Sequence, residues 1–412
     1  MSQASMAPAA AGAPRWLLPA ICSAAFLVFA QTFMVAPLIP RLAVVFASPV
    51  AWVGLAVPAY VVPQGLSILF AGPMSDRLGR RGVILGALAA LCLLTAATAT
   101  AGSVGVFIGW RVVTGIVAAG IVPIGLTLIG DVVPYARRGR AVGWLFGSIA
   151  GGTATGAAVG ALVEPLLGWR GLFLVVAAAC AVVIVAALAS GAFPRIARPS
   201  APAPWAAVAR GYARLLAQVR ARHTYTYVLL NAILQSGVFT WLGVYLHQRF
   251  GLDETHIGLV LLGYGVPGLL FGPVIGRLAD RHGRARIIPV GVALTGACAL
   301  ALAPHLPLAA VQVAIILLSL GFDLTQPLLA GIATNLDGPK GQAVALMAFS
   351  LFVGFGLGSL LFQAVLALGF VPALVAFGVV ALAAAAVAAR WFRAEIPVVR
   401  QPRLAAHAVH HA

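Results

Sequence analysis

Gly72-Pro73-Met74-Ser75-Asp76-Arg77-Leu78-Gly79-Arg80-Arg81 is a short charged hinge between two long apolar runs. The pattern of Gly, three residues, Asp-Arg, one residue and Gly-Arg returns at Gly276-Arg277-Leu278-Ala279-Asp280-Arg281-His282-Gly283-Arg284, 204 positions later in a chain of 412. Two apolar halves with the same basic hairpin at the same place describe an internally duplicated membrane protein. The composition agrees: 62% of the residues are hydrophobic and 8% are charged, too little polar surface to coat a water-soluble body of this size.

The formal net charge of +17 would suggest nucleic acid in a soluble protein. Here the charges lie in short segments between apolar runs, and no soluble stretch is long enough to carry a nucleic-acid-binding face. Cys22, Cys92, Cys180 and Cys298 are scattered singly in apolar runs, with neither metal spacing nor a disulfide framework. No metal and no cofactor is expected. Residues 1–14 lack the basic start of a secretory signal, and the apolar run after Arg15 is too long for a cleavable core, so that run is expected to be retained as a helix.

A helix needs about 20 apolar residues to cross the hydrocarbon. That rule yields twelve, at roughly 16–40, 50–73, 83–102, 104–130, 141–165 and 169–193, and then 225–248, 256–278, 287–304, 308–332, 342–368 and 371–392. The expected organisation is a tail (1–15), a six-helix bundle (16–193), a linker (194–224), a second six-helix bundle (225–392) and a tail (393–412). Basic residues test the layout independently: 22 of the 26 fall in alternate connections, the linker or the tails, against Arg41, Arg170 and Arg249 on the opposite side and Arg111 inside a helix. Both termini and the linker are therefore expected in the cytoplasm. The linker opens with Pro194, Pro199, Pro202 and Pro204, and its Trp205–Arg222 stretch, with Arg210, Arg214, Arg220 and Arg222, suits a helix on an anionic membrane surface or a solvated connector. The tail with His407, His410 and His411 is expected to be disordered.

Two six-helix halves, a linker and a Gly-Asp-Arg-Gly-Arg hinge after the second helix together resemble the major facilitator superfamily of secondary transporters, over roughly residues 16–392. Arg111-Val112-Val113-Thr114-Gly115, continuing to Ala119-Gly120, is similar to that family's arginine-and-glycine pattern in helix four. Gly168-Trp169-Arg170-Gly171-Leu172-Phe173 is similar to the opening of helix six in its drug:proton antiporter branch. In helix five, Gly147, Gly151, Gly152, Gly156 and Gly160 keep a small-residue spacing, but Ala157 stands where that branch has proline. The resemblance implies an all-α membrane protein of twelve transmembrane helices in two pseudo-symmetric bundles, working as a monomer in a bacterial inner membrane.

It further implies a conformational latch of Gly72, Asp76, Arg77, Gly79, Arg80, Arg81 and Asp131, with Gly276, Asp280, Arg281, Gly283 and Arg284 in the second half. Asp76 would meet the start of helix eleven near Gln342, and Arg80 would pair with Asp131 on helix four. Glycine supplies backbone geometry at such a turn that other residues resist.

Arg111 and Asp323 are the two ionisable residues well inside the expected helices, and an intramembrane charge is a functional candidate by default. Counting about 1.5 Å per residue from the far helix ends puts them roughly 10 Å and 22 Å deep, so a direct pair is not expected. Asp323 is the candidate for loading and releasing a proton. Arg111 either couples substrate or proton, or snorkels to the surface. Gln31 stands in helix one where multidrug relatives often carry an acid.

A cavity wall is expected from Gln31, Tyr60, Gln64, Tyr227, Asn231, Gln235 and Gln326 at helical spacing, with Trp241, Tyr264, Phe349 and Phe352 adding aromatic surface. The same stripes also serve as interhelical contacts. Glu164 is expected to be a solvated boundary residue.

No Walker loop and no His-Glu-x-x-His motif occurs, and the acids are few and dispersed. The expected function is a proton-coupled transporter, with small-molecule substrate, protons and lipid as partners. It would export small, largely apolar or weakly polar molecules. An importing symporter or uniporter, and a transporter-like sensor or assembly partner without transport, are the alternatives.

Overall fold

Thirteen of the fifteen α-helices found among the described residues fall where the apolar runs lie, and no strand occurs among those residues. The computed structural model describes residues 14–133, 135–194, 203–268, 275, 278 and 283–395, with side chains omitted at 135–139. Gly276, Asp280 and Arg281 of the second hinge, the early linker and the His-containing tail lie outside the described residues.

The first half holds α1 (Leu17–Phe33), α2 (Ile39–Val45), α3 (Val50–Gly54), α4 (Pro58–Leu78), α5 (Arg80–Thr98), α6 (Val104–Ala118), α7 (Val122–Val132) and α8 (Tyr135–Ala189). Ten helical stretches among the described residues are long and apolar enough to span a membrane. One of them covers residues 140–189, and Gly168 at φ 66°, ψ 163° breaks it into two limbs at the boundary expected from the sequence. The break turns Arg170 onto the end of α5, where its Nε and Nη2 donate to the carbonyls of Ala99 (3.1 Å) and Ala101 (3.0 Å).

Three spans of the first half that were expected to be continuous are not. The first breaks at 34–38 through a short 3₁₀ turn, the second at 55–57 and the fourth at 119–121. In each case the chain resumes with a proline in its first turn: Pro37 and Pro40, then Pro58, then Pro123. Proline lacks the amide that would continue the preceding helix but is preorganised to begin the next one.

After the linker come α9 (Trp205–Ala217), α10 (Val219–Phe250), α11 (Glu254–Leu262), α12 (Arg284–Ala301), α13 (Leu308–Ala333), α14 (Lys340–Leu366) and α15 (Phe370–Trp391). The expected amphipathic stretch is divided: Gln218 is extended, so Val219–Arg222 open α10 instead. Asp253 caps α11, accepting from the His256 amide at 2.8 Å, and that bond holds its carboxyl below the ordinary range.

The duplication reaches into backbone and packing. Gly79 (φ 90°, ψ 132°) and Gly283 (φ 82°, ψ 147°) share a conformation that L side chains resist; Gly79 joins α4 to α5, and Gly283 stands immediately before the helix Arg284–Ala301. In the first half Gly152 and Gly156 lie against the backbones of Phe26 and Ala30 on α1. In the second half, 202 positions on, Gly354 and Gly358 lie against Leu229 and Ile233 on α10. Small residues let helices approach closely where lipid supplies no hydrophobic drive to hold them.

One large apolar core runs through both halves. At the end of the bundle opposite the hinges, the far end, Gly243 packs on Ala36 and Pro37, and Gln363 Nε2 donates to the Ala51 carbonyl at 2.9 Å. At the hinge end a second core cluster is built from the second half, the linker residues Leu215 and Tyr212, and Leu69 of α4. The halves are thus joined directly at the far end, whereas α9 bridges them at the hinge end.

Candidate functional site

Two of the three helix breaks leave carbonyls that Arg111 on α6 gathers. Its Nη1 and Nη2 donate to the carbonyls of Gln31 and Thr32 at the end of α1, both at 3.1 Å, while Nε donates to Ala56 ahead of α4 at 3.1 Å. The guanidinium lies 4.3 Å from the centroid of the Tyr60 ring and is 0% exposed. A planar five-donor fork can satisfy several carbonyls at once, and a cation at a helix C-terminus is favoured by the helix dipole. Arg111 therefore neither snorkels nor meets Asp323; it clamps α1, α4 and α6 together. Gly115, one turn further along α6, has no room for a Cβ because the Tyr60 backbone lies against it.

Around this clamp the buried Gln31 and Gln64 keep unpaired atoms, Nε2 and Oε1 respectively, while Gln31 Oε1 accepts from Thr95 Oγ1 at 3.0 Å. The second half carries buried polar side chains of its own. Gln235 Nε2 donates to Tyr264 Oη, and Asn231 Nδ2 donates to Thr325 Oγ1 at 2.6 Å. Asn231 Oδ1, Gln235 Oε1 and both terminal atoms of Gln326 are buried without a hydrogen-bond partner. Such atoms cost free energy unless something pairs with them, which is how a polar recognition surface differs from interhelical glue.

Asp323 on α13 is half-buried, and Ser319 Oγ donates to its Oδ2 at 3.3 Å. Gly268 faces the carboxylate, where a Cβ would sit 3.2 Å from Oδ2. Pro327, four residues on, withdraws the amide that the Asp323 carbonyl would otherwise accept from.

Aromatic rings connect the halves. Phe33 on α1 contacts Phe239 (5.8 Å between centroids) and Phe355 (5.7 Å), Phe239 reaches Tyr264 (4.3 Å), Phe355 reaches Phe322 (6.0 Å), and Phe29 meets Phe352 (5.7 Å). The sequence reading named Tyr264 and Phe352 but missed Phe29, Phe33, Phe239, Phe322 and Phe355. The signal was available in the four-residue spacing of Phe29 and Phe33 and the three-residue spacing of Phe352 and Phe355, which puts each pair on one helix face.

Other expected wall residues point elsewhere. Tyr227 Oη donates to the Ala384 carbonyl on α15 at 2.7 Å, so it packs the back of the second half. Trp241 donates from Nε1 to the Ser359 carbonyl at 3.1 Å and lies over Gly54, sealing the far end. Phe349 is partly buried against the hinge-end cluster. Glu164 is 3% exposed rather than solvated, and Arg41 Nε donates to it at 3.3 Å.

At the hinge, Arg80 forms an ion pair with Asp131 on α7 and a longer one, 3.7 Å, with Asp76. Arg80 Nη1 donates to the Thr127 carbonyl at 3.4 Å, and 204 positions on the Arg284 guanidinium lies against Gly331. The residue that corresponds to Asp131 is Asn335, whose Nδ2 donates to the Gly331 carbonyl at 2.7 Å. The carboxylate is thus present at this place in one half and not in the other. The expected approach of Asp76 to the start of helix eleven is replaced in this conformation: Gln342 Nε2 donates to Val208 of α9, at 3.3 Å. Arg81 makes no ion pair among the described residues.

The partners of the Arg80–Asp131 pair are 19% and 35% exposed, so water screens it. Asp131→Asn is expected to lower stability by only about 0.5–1 kcal/mol, visible as a small shift of the unfolding midpoint in detergent. A shift comparable to that of an Arg111 variant would make this pair a main structural tie instead.

Two helical halves, with a glycine turn at the same place in each and buried polar and aromatic side chains between them, have the architecture of a membrane transporter. The family model of the Major Facilitator Superfamily matches residues 21–340 and 248–410, and the chain belongs to that family. An uncharacterized MFS-type transporter of Bacillus subtilis, YceJ, is 27% identical over 343 residues, 82% of this chain and 86% of that one. A chloramphenicol resistance protein of Streptomyces lividans is 26% identical over 334 residues, 80% and 83% of the two chains. Among solved structures, a D-xylose-proton symporter superposes with a TM-score of 0.75 at 16% identity, covering 91% of this chain and 97% of that one. A bacterial homologue of the lysosomal transporter Spinster, in an inward-facing conformation, gives 0.71 at 18%, covering 92% and 98%. At these identities the structural likeness establishes the fold.

Proposed function

We propose that this transporter exports small, largely apolar or weakly polar molecules, aromatic ones included, in exchange for protons. The observation that carries the reading is the pairing, in the middle of the bundle, of one half-buried carboxyl group, Asp323, with a chain of aromatic rings that joins the halves. Rings and neutral amides suit a flat, weakly polar solute, because burying a charged one would need a partner charge. Arg111 donates from all three of its nitrogens to backbone carbonyls and is fully buried among them, so it is poorly placed to supply that charge to an anion. Export is supported by the likeness to chloramphenicol resistance proteins of two bacteria.

Alternating access would rock the halves, proposed as residues 16–193 and 225–392, about the polar middle. The tails and linker would face the cytoplasm of a bacterial cell, where the basic connections gather. In the state with the hinge end closed, Asp76, Arg80 and Asp131 would act as the latch. The protein would work as a monomer.

The test is transport in liposomes under an imposed pH gradient, with chloramphenicol as the probe. Gradient-driven export is expected from the wild type. In Asp323→Asn it should fall at least tenfold while exchange of labelled for unlabelled substrate persists. Equal gradient-driven export by that variant would remove Asp323 from coupling. Uptake down the proton gradient would favour the symport seen in the name of the D-xylose neighbour, and no flux of either sense would favour a sensor.

A further inference from the structure

Pro73 lies inside α4, and its missing amide leaves the carbonyl of Leu69, one turn earlier, without its helical donor. The hydroxyl of Tyr212, from the linker helix α9, supplies that donor at 2.9 Å. A linker residue thus occupies a vacancy that the helix sequence itself creates.

The rest of α9 is tied on both sides. Toward the first half, Arg77 donates through Nη2 to the Ala203 carbonyl at 3.0 Å, and its guanidinium lies 4.1 Å from the centroid of the Trp205 ring. Toward the second half, Gln342 donates to Val208, Gln218 Nε2 donates to the Asp337 carbonyl at 2.6 Å, and Leu215 is fully buried against Gly338. Gly211 lies directly on the Gln342 side chain with no room for a Cβ. The helix therefore fills the space in front of the start of α14, while α4 is held to it by Tyr212 and Arg77.

We infer that α9 is a strap that holds this conformation, and that Tyr212, bound to the carbonyl freed by Pro73, is the positioning residue that fastens it. Closing the hinge end, with Asp76 moving onto the start of α14, requires α9 to leave Gln342 and Tyr212 to leave Leu69. The population of the present state is then set in part by one hydrogen bond outside the transport path. The inference rests on the alternating-access reading for its role in transport, but its test needs no substrate.

Spin labels at Gly82→Cys on α5 and Gly341→Cys on α14, in a background where the four native cysteines are replaced, would report the separation of the hinge ends. Both positions have open space around an added Cβ. Tyr212→Phe is expected to shift the ratio of long to short distances about fivefold toward short, the effect of one net hydrogen bond of about 1 kcal/mol. Pro73→Ala returns an amide to Leu69 and competes with Tyr212, so it should shift the ratio the same way. The double variant should add little to either single one, because both break the same contact. Unchanged distances in the two single variants, or fully additive shifts, would overturn the inference. Loss of gradient-driven transport with the expected distance shifts intact would count against the transport reading alone.

Discussion

Arg111→Ala is expected to cost about 3 kcal/mol or more of stability, because three carbonyls would lose charge-assisted donors inside a 0% exposed site. Two of those bonds tie α6 to the end of α1 and the third ties it to the break ahead of α4, and truncation would leave the carbonyls of Gln31, Thr32 and Ala56 buried and unpaired. Arg111→Lys separates charge from geometry. An ammonium can keep the favourable position at the end of α1 but cannot fork across carbonyls on two helices, so most of the loss should remain. The measurement is the unfolding midpoint in detergent beside the yield of folded protein. A lysine variant as stable as the wild type would mean that charge alone matters and that the fork does not.

The second large effect is expected at Gly156. A Cβ there would lie 2.6 Å from the Cα of Ala30 and 2.8 Å from its carbonyl carbon, and α1 cannot yield locally because that contact is backbone. Gly156→Val should force α1 and α8 apart along their whole contact, at a cost above the roughly 1–3 kcal/mol of ordinary overpacking. Gly147→Val, on the same helix but with open space around its Cβ, is the control and should be tolerated. Equal yields of folded, monodisperse protein from the two variants would show that this helix pair has slack the packing does not suggest.

These two positions differ in how visible they were beforehand. The glycine spacing was plain in the sequence, but only the packing separates Gly152, Gly156 and Gly160, which touch α1 tightly, from Gly147, which does not. Arg111 was visible as a lone intramembrane charge, yet its role depended on broken helices that were expected to be whole. Their breaks were legible in principle, since each follows the rule that proline opens a helix rather than continuing one. A window of hydrophobicity passes over such a break because proline interrupts hydrogen bonding without adding charge. The cavity wall was the least legible part. Tyr227 and Trp241 share helical spacing with Gln235 or stand near it, but α10 is buried nearly all round in its second half, so its period could not say which neighbour each side chain would meet.

What the sequence determined by itself is a duplicated, membrane-spanning body with a basic hinge in each half, because apolar run length and the repeat of Gly-Asp-Arg-Gly-Arg are local properties of the chain. Tertiary structure decided which polar groups face each other: that Arg111 donates to the end of α1 and to the break ahead of α4, and that α9 sits between α4 and α14. Those outcomes depend on the approach of segments 55 to 143 residues apart, and on carbonyls whose partners exist only once the helices have packed.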